Sequence, residues 1–307
     1  VAKWFLERVT LISKPHVAVV GASSLVGEKL LEILAERQFP CASIRRLSPR
    51  AEAPAAAADA DFVFLAAPVV VARQFAPQLV SAGCLVIDLS SAWRLDPQVP
   101  LVVPEVNGSA IALHRGLLAS PNCTNVPLVM ALAALPAQVT VEQVIVTTMQ
   151  AASGAGRAGL ESLQGGVSPF PQDLANNLIP QCDVLGADGT SAEEQRLVAE
   201  TRRLLSAPQL NITATCVRVP VLVGHALSVY VRLQTELDAA DARVAWQTAP
   251  GIKVYGSNAY PCVQDCVGND LVHIGRVRNG RQRNELLFWI VCDNLRKGAA
   301  TNAVQIA

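Results

Sequence analysis

His16-Val-Ala-Val-Val-Gly21 is a short, β-branched, apolar run that ends on glycine, and a helix-like stretch begins almost at once. From Val26 to Phe39 the apolar residues Val26, Leu30, Leu31, Ile33 and Leu34 recur at helical spacing. A buried strand that turns at a glycine straight into a helix admits few architectures. The pattern then repeats. Ile44 to Leu47 reads as a weak second strand, Phe62 to Ala66 as a third with a helical stretch to about Val80, and Cys84 to Leu89 as a fourth. This β-α-β-α-β alternation predicts a parallel sheet wound with helices. The low-complexity run Ala51 to Ala60 is short for a connection in such a fold and reads as a deletion, or as a place where residues are missing.

The pattern changes after Pro121-Asn122-Cys123. Val126 to Leu135 reads as a helix. Val141 to Met149, Ile212 to Val221, Leu227 to Leu233, Val272 to Val277 and Leu286 to Val291 read as longer, more alternating strands. They predict a larger mixed or antiparallel sheet in a second domain. Ser191 to Leu205 is an amphipathic helix with Ser191 and Glu194 at capping-box spacing. Arg296 to Ala307 reads as a final helix.

The 307 residues suggest about two domains. Charge is balanced, with 25 basic and 25 acidic side chains, which argues against a nucleic-acid partner. Half the residues are apolar, 51%, yet the longest apolar stretch, Phe62 to Ala72, is broken by Pro68. A membrane span needs about 20 such residues, so none is expected. The opening VAKWFLERVTLISKPH scatters charge among apolar positions and reads as no signal peptide; its first dozen residues read as a tag, an extension or an irregular start. The eight cysteines contain no CxxC pair, and Cys262 and Cys266 have no histidine-rich neighbourhood. No metal site is expected, and a reducing cytoplasm without disulfides fits the usage.

Gly21-Ala-Ser-Ser24-Leu-Val-Gly27 joins the first strand to the first helix. Glycine there lets the backbone approach a pyrophosphate, which the helix N-terminus attracts. An ordinary strand-to-helix turn has the same spacing, but its place at the head of an α/β run favours the dinucleotide. After the second strand come Arg45-Arg46-Leu47-Ser48-Pro49-Arg50, with no acid for a ribose 2′-hydroxyl. That composition points to NADP, with Ser48 and Arg50 at the 2′-phosphate; a solvated basic turn is the alternative.

Cys123 precedes a helix, where the dipole and free N–H groups favour thiolate and predict a lowered pKa. A buried structural cysteine would read the same way. A nucleophile needs a base, and of His16, His114, His225 and His273 only His225 follows a glycine at a break between strands, in Arg218-Val-Pro-Val-Leu-Val-Gly-His225. A structural histidine is the competing reading. Arg218 could clamp a carboxylate in bidentate fashion or sit on a surface strand.

At these residues the chain resembles the aspartate-semialdehyde dehydrogenase family. The resemblance runs from about His16 to the end, through VAVVGASSLVGEKLLEILAERQFP, LVVPEVN, ASPNCTN, TTMQAASGAGRAGLESL, NLIPQ, ATCVRVPVLVGH, PGIKVY and DNLRKGAATNAVQIA. It implies a Rossmann-type NADP-binding domain (1–122), an α+β catalytic and dimerisation domain with a large mixed sheet (123–292), and a C-terminal helix (293–307) that returns to the first. It implies Cys123 as acyl-forming nucleophile, His225 as acid/base and Gln150 as the residue orienting the intermediate. Arg218 would hold the substrate carboxylate, Glu193 would face its amino group, and Arg94, Asn122 and Arg196 would contact phosphate. Arg196 stands where the family usually has lysine. Cofactor contacts fall on Gly21, Ser23, Ser24, Leu25, Val26, Gly27, Ser48, Arg50, Ser153, Gly154 and Asn294. The implied reaction reduces β-aspartyl phosphate with NADPH, releasing phosphate, in a cytoplasmic homodimer or homotetramer that serves lysine, threonine and methionine biosynthesis. The chain departs from the family pattern at Ser24, usually glycine, where a side chain is expected to crowd the pyrophosphate. Ala226-Leu227 replaces the common Ser and Glu, and the segments after Arg50 and between Leu163 and Asn176 are short. A non-catalytic Usg-type paralogue and N-acetyl-γ-glutamyl-phosphate reductase are the alternatives.

Overall fold

The structure, a computed structural model, describes residues 14–307; the first dozen residues, read above as a tag, an extension or an irregular start, lie outside the described residues. The chain runs β1 (His16–Val20), α1 (Leu25–Glu36), β2 (Ser43–Leu47), α2 (Ala53–Ala57), β3 (Phe62–Leu65), α3 (Val69–Ser81), β4 (Leu85–Asp88), α4 (Pro104–Asn107) and β5 (Leu117–Ala119). These strands form one five-stranded parallel sheet in the order β2-β1-β3-β4-β5. Both faces are covered, which explains why β1 is apolar at successive positions instead of alternating. Val17 and Val19 pack on one side with Leu30, Ile33 and Leu34 of α1. Ala18 and Val20 pack on the other with Ala53, Ala57, Phe75 and Leu79. The chain moves from β1 out to β2 and then back past β1 to β3, so a crevice opens at the carboxyl ends of β1 and β3, where such sheets take ligands.

The short Ala51 to Ala60 segment folds as a helical connection. Alanines are good helix formers, Pro54 suits a first turn, and α2 buries Ala53, Pro54 and Ala57 while carrying the chain from β2 to β3.

The second half continues with α5 (Asn125–Ala133), β6 (Val141–Gln150), α6 (Gly156–Ser162), α7 (Ala192–Leu204), β7 (Asn211–Arg218), β8 (His225–Leu233), α8 (Ala239–Thr248), β9 (Ile252–Val254), β10 (Val272–Asn279) and β11 (Glu285–Cys292). Its sheet has the order β7-β6-β8-β11-β10-β9 and is mixed: β6/β7 and β10/β9 are parallel, the other pairs antiparallel. Along β6 the buried residues alternate, Val144, Val146, Thr148 and Gln150, so one face packs on the core and the other stays open. α7 starts as its sequence predicts: the Ser191 side chain caps Glu194 N–H, and Glu194 returns to the Ser191 N–H at 2.7 Å.

The terminal segment begins as a π-helical turn, Arg296–Ala300, and becomes α-helical as α9 (Thr301–Ile306). Ala300, Ala303, Val304 and Ile306 join the α1 face of the parallel sheet. Buried Arg296 binds Glu32 and Glu36 of α1 as well as Asp270, and buried Lys297 binds Glu105. These links hold the π-helical turn where its Gly298 backs directly onto Cys123.

Candidate active site

Sheet register assembles the site. Gln150 and Arg218 end two parallel strands in register with each other, and His225 opens β8 beside them. Gly224 makes that entry possible. Its φ of +96° favours glycine, and a Cβ there would lie 2.5 Å from Val263 Cγ1. Gly154 lets the histidine and arginine approach, because a Cβ would stand 2.6 Å from Arg218 Nη1 and 3.3 Å from His225 Cε1. Asn294 accepts the Gly224 N–H at 2.8 Å and donates to Ser153 Oγ at 3.0 Å, which pins the turn.

Cys123 follows β5, the last strand of the parallel sheet in chain order, and lies just before α5, and its Sγ lies 3.2 Å from His225 Nε2. The Ala151 N–H donates to His225 Nδ1 at 3.1 Å. A backbone N–H can only donate, so the neutral ring carries its own proton on Nε2 and meets Sγ as a donor. Burial, and then the Arg218 guanidinium, push the ring's pKa down to about 3, which keeps it neutral. The polarity continues in one direction. The thiol donates to Asn122 Oδ1 at 3.2 Å, and Asn122 Nδ2 donates to Glu193 Oε1 at 2.7 Å. Gln150 Nε2 joins the same oxygen at 3.1 Å, and Arg196 binds Glu193 Oε2 at 2.9 Å.

The expectation of a lowered thiol pKa is overturned. Burial, reinforced by the negative charge of Glu193, pushes the Cys123 thiol up to about 12, and Arg94 and Arg218 only partly oppose it. The dipole argument considered the helix alone, whereas desolvation and a carboxylate from α7 outweigh it.

Arg218 is nearly buried. Its Nη1 donates to Ala151 O at 2.8 Å, its guanidinium sits 5.5 Å over the Phe170 ring, and its Nε is buried with no partner. An orphaned guanidinium donor at a cavity wall suits a carboxylate. Arg94 is held by Ser120 O, Leu89 O and Glu200. Arg196 also binds Asp183 at 2.5 Å.

A cavity of about 890 Å³ connects these groups. Its lining includes Val26, Ala66, Ser90 and Arg94 together with Cys123, Gln150, Glu193, Arg196 and Arg218. Val26 belongs to the glycine loop. Gly27 packs so tightly that a Cβ would lie 2.1 Å from Gly21 O. Ser24, expected to crowd a pyrophosphate, turns its side chain back to accept the Gly27 N–H at 3.0 Å and caps α1. Among the described residues, the N–H groups of Ser23, Leu25 and Val26 carry no hydrogen bond. The end of β2 adjoins this loop, since Leu47 O accepts from Gly21 N–H at 2.8 Å. Arg45 is turned away there onto Asp59, while Ser48 and Arg50 follow at the strand's end.

Two family models match this chain: "Semialdehyde dehydrogenase, NAD binding domain" over residues 43–114 and "Semialdehyde dehydrogenase, dimerisation domain" over 132–297. The aspartate-semialdehyde dehydrogenase of Aquifex aeolicus is 36% identical, with 95% of this chain and 96% of that protein covered. That of Rickettsia conorii is 34% identical over 97% and 98%. The chain belongs to the aspartate-semialdehyde dehydrogenase family. Among solved structures, the family's enzyme II from Vibrio cholerae, complexed with ASA, superposes with a TM-score of 0.92 at 34% identity, covering 96% of this chain and 97% of that one.

Within this family member the sequence reading overlooked Glu200, Asp183 and Phe170. Glu200 had a visible signal: it falls in the apolar phase of α7, with Leu197 and Leu204, where an acid is out of place. Asp183 and Phe170 lie in irregular segments and had none. Among the described residues all eight cysteines are free and all but Cys262 are at least partly buried, no acid–histidine–cysteine group is arranged for a metal, and no helix is long and apolar enough to cross a membrane.

Proposed function

We propose that the chain reduces β-aspartyl phosphate to aspartate semialdehyde with NADPH, releasing phosphate, through a thioester on Cys123. The observation that carries this reading is the pairing of Cys123 and His225 at 3.2 Å in a cavity that also holds an orphaned arginine donor and an acid. A free amino acid presents one carboxylate and one ammonium, and Arg218 and Glu193 match that pair. An N-acetylated glutamyl substrate would present a neutral amide to Glu193, so this pairing favours the aspartyl substrate. Retention of Cys123, His225, Gln150 and Arg218 favours an enzyme over a non-catalytic paralogue.

The substrate carboxylate pairs with Arg218, its ammonium with Glu193, and its phosphate with Arg94, Arg196 and Asn122. The ammonium offsets the Glu193 charge, which after burial is the second cause of the raised thiol pKa, and so eases ionisation of Sγ. Sγ then bonds to the acyl carbon, the C–O bond to phosphate breaks, and the thiol proton leaves with phosphate as its dianion. His225 Nε2–H donates to the charge developing at Sγ and at the adjacent oxyanion, and Gln150 orients the thioester. When bound, the nicotinamide supplies the hydride that reduces the thioester. The C–S bond then breaks, with one proton taken up per aldehyde released.

The residues present fit the dinucleotide: free loop N–H groups, close glycine packing and a cavity leading to Cys123. Gly21, Ser23, Leu25, Val26 and Gly27 would cradle the pyrophosphate, with Ser24 as the helix cap. Ser153, Gly154 and Asn294 would flank the nicotinamide, and Ser48 and Arg50 would take the 2′-phosphate. Arg50→Ala should weaken NADP binding by about 10- to 150-fold, the equivalent of a charge-assisted contact of about 1.5–3 kcal/mol, and leave NAD binding unchanged. Calorimetric titration with both nucleotides checks this; an unchanged NADP/NAD ratio removes Arg50 from the assignment.

The same reading divides the chain into 1–122, 123–292 and 293–307, in support of which α9 packs on α1. It also takes the enzyme to be a cytoplasmic homo-oligomer, dimer or tetramer, in support of which the matched dimerisation model covers the sheet whose outer face is open at Ile145. The function is tested by phosphate-dependent reduction of NADP with aspartate semialdehyde.

A further inference from the structure

Glu200 is wholly buried on α7, two turns beyond Glu193. A leucine would suit that phase of the helix, as at Leu197 and Leu204. An unpaired buried carboxylate is costly, so its partners explain its presence. Oε2 accepts the backbone N–H of Asn122, the residue before the nucleophile, at 2.7 Å. Oε1 faces Arg94 Nη1 at 3.3 Å. Burial pushes the carboxyl pKa up, and the Arg94 charge and the Asn122 N–H oppose that rise.

Arg94 has five N–H donors in a rigid fork. Nε goes to Ser120 O at 2.9 Å, Nη2 to Leu89 O at 2.8 Å, and Nη1 to Glu200. Three anchors fix the plane and rotation of the guanidinium. The two remaining donors, one on each terminal nitrogen, are then available where Arg94 lines the cavity. Glu200 is the one anchor that is charged, and it also holds the peptide leading to Cys123.

We infer that Glu200 is a positioning residue that sets the Arg94 guanidinium for the substrate phosphate and ties it to the Asn122–Cys123 peptide. This rests on Arg94 as a phosphate-binding residue. Glu200→Gln isolates the first task. The amide oxygen can still accept the Asn122 N–H, while the amide nitrogen turns a donor toward Arg94 and loses it.

Steady-state kinetics in the aldehyde-oxidising direction test the inference on wild type, Glu200→Gln, Arg94→Ala and the double variant. Glu200→Gln should raise KM for phosphate about tenfold or more, with KM for aspartate semialdehyde within about twofold of wild type. The double variant should have the phosphate KM of Arg94→Ala alone, since the effect passes through Arg94. Lower kcat with both KM values unchanged would mean a merely structural acid and overturn the inference. If Arg94→Ala raises the phosphate KM and Glu200→Gln does not, positioning by Glu200 fails while the phosphate role of Arg94 stands. If Arg94→Ala leaves it unchanged, that role itself fails, and the inference with it. Glu200→Asp keeps the charge with a shorter reach and should raise the phosphate KM less than Glu200→Gln. Should Glu200→Gln not fold, Glu200→Asp and its pair with Arg94→Ala decide by the same comparison.

Discussion

Replacing Cys123 with serine should reduce turnover by at least about 10³-fold while leaving NADP binding intact. Cys123 is none of the residues assigned to the dinucleotide, so the substitution removes the nucleophile and nothing that holds the cofactor. A serine variant that kept more than about a few per cent of activity would exclude the thioester route, since a neutral alcohol is a far weaker nucleophile. Alkylation of the wild-type thiol gives an independent reading. The thiol is pushed up to about 12, so its thiolate fraction, and the alkylation rate, should climb about tenfold per pH unit from neutrality. Levelling off near the ordinary cysteine pKa would contradict the burial and Glu193 argument.

Arg218→Lys should raise KM for aspartate semialdehyde by about 10- to 150-fold and leave KM for phosphate within about twofold. Arginine presents the orphaned Nε and a terminal nitrogen side by side while Nη1 stays on Ala151 O. Lysine is a point charge and cannot hold both the Ala151 carbonyl and a two-oxygen ligand in that geometry. An unchanged aldehyde KM would remove Arg218 from the substrate site.

What could be read in the sequence was local or periodic. β1 announced itself because a strand covered on both faces is apolar throughout, and α7 because its capping box lies within four residues. The short β5, the short β9 and α8 went unread, since three-residue strands carry too little pattern and α8 is only weakly amphipathic. The candidate residues Cys123, His225, Gln150, Arg218 and Glu193 do meet in one cavity wall or at its edge. Their electrostatics could not be read in advance. The thiol's pKa depends on burial and on a carboxylate 70 positions away in sequence, so no helix-end rule could anticipate it. Ser24 looked like an obstruction because a side chain's direction is a property of the folded loop; the cap it forms needs the Gly27 N–H beside it.

The central claim is a phosphorylating aldehyde oxidation on Cys123, and its most direct measurement is the absorbance of NADPH formed by purified protein with aspartate semialdehyde, NADP and inorganic phosphate. The account predicts NADPH formation that requires both the aldehyde and phosphate and that the serine variant at position 123 lacks. Formation of NADPH at the same steady rate without phosphate, or none with all three present, would contradict it.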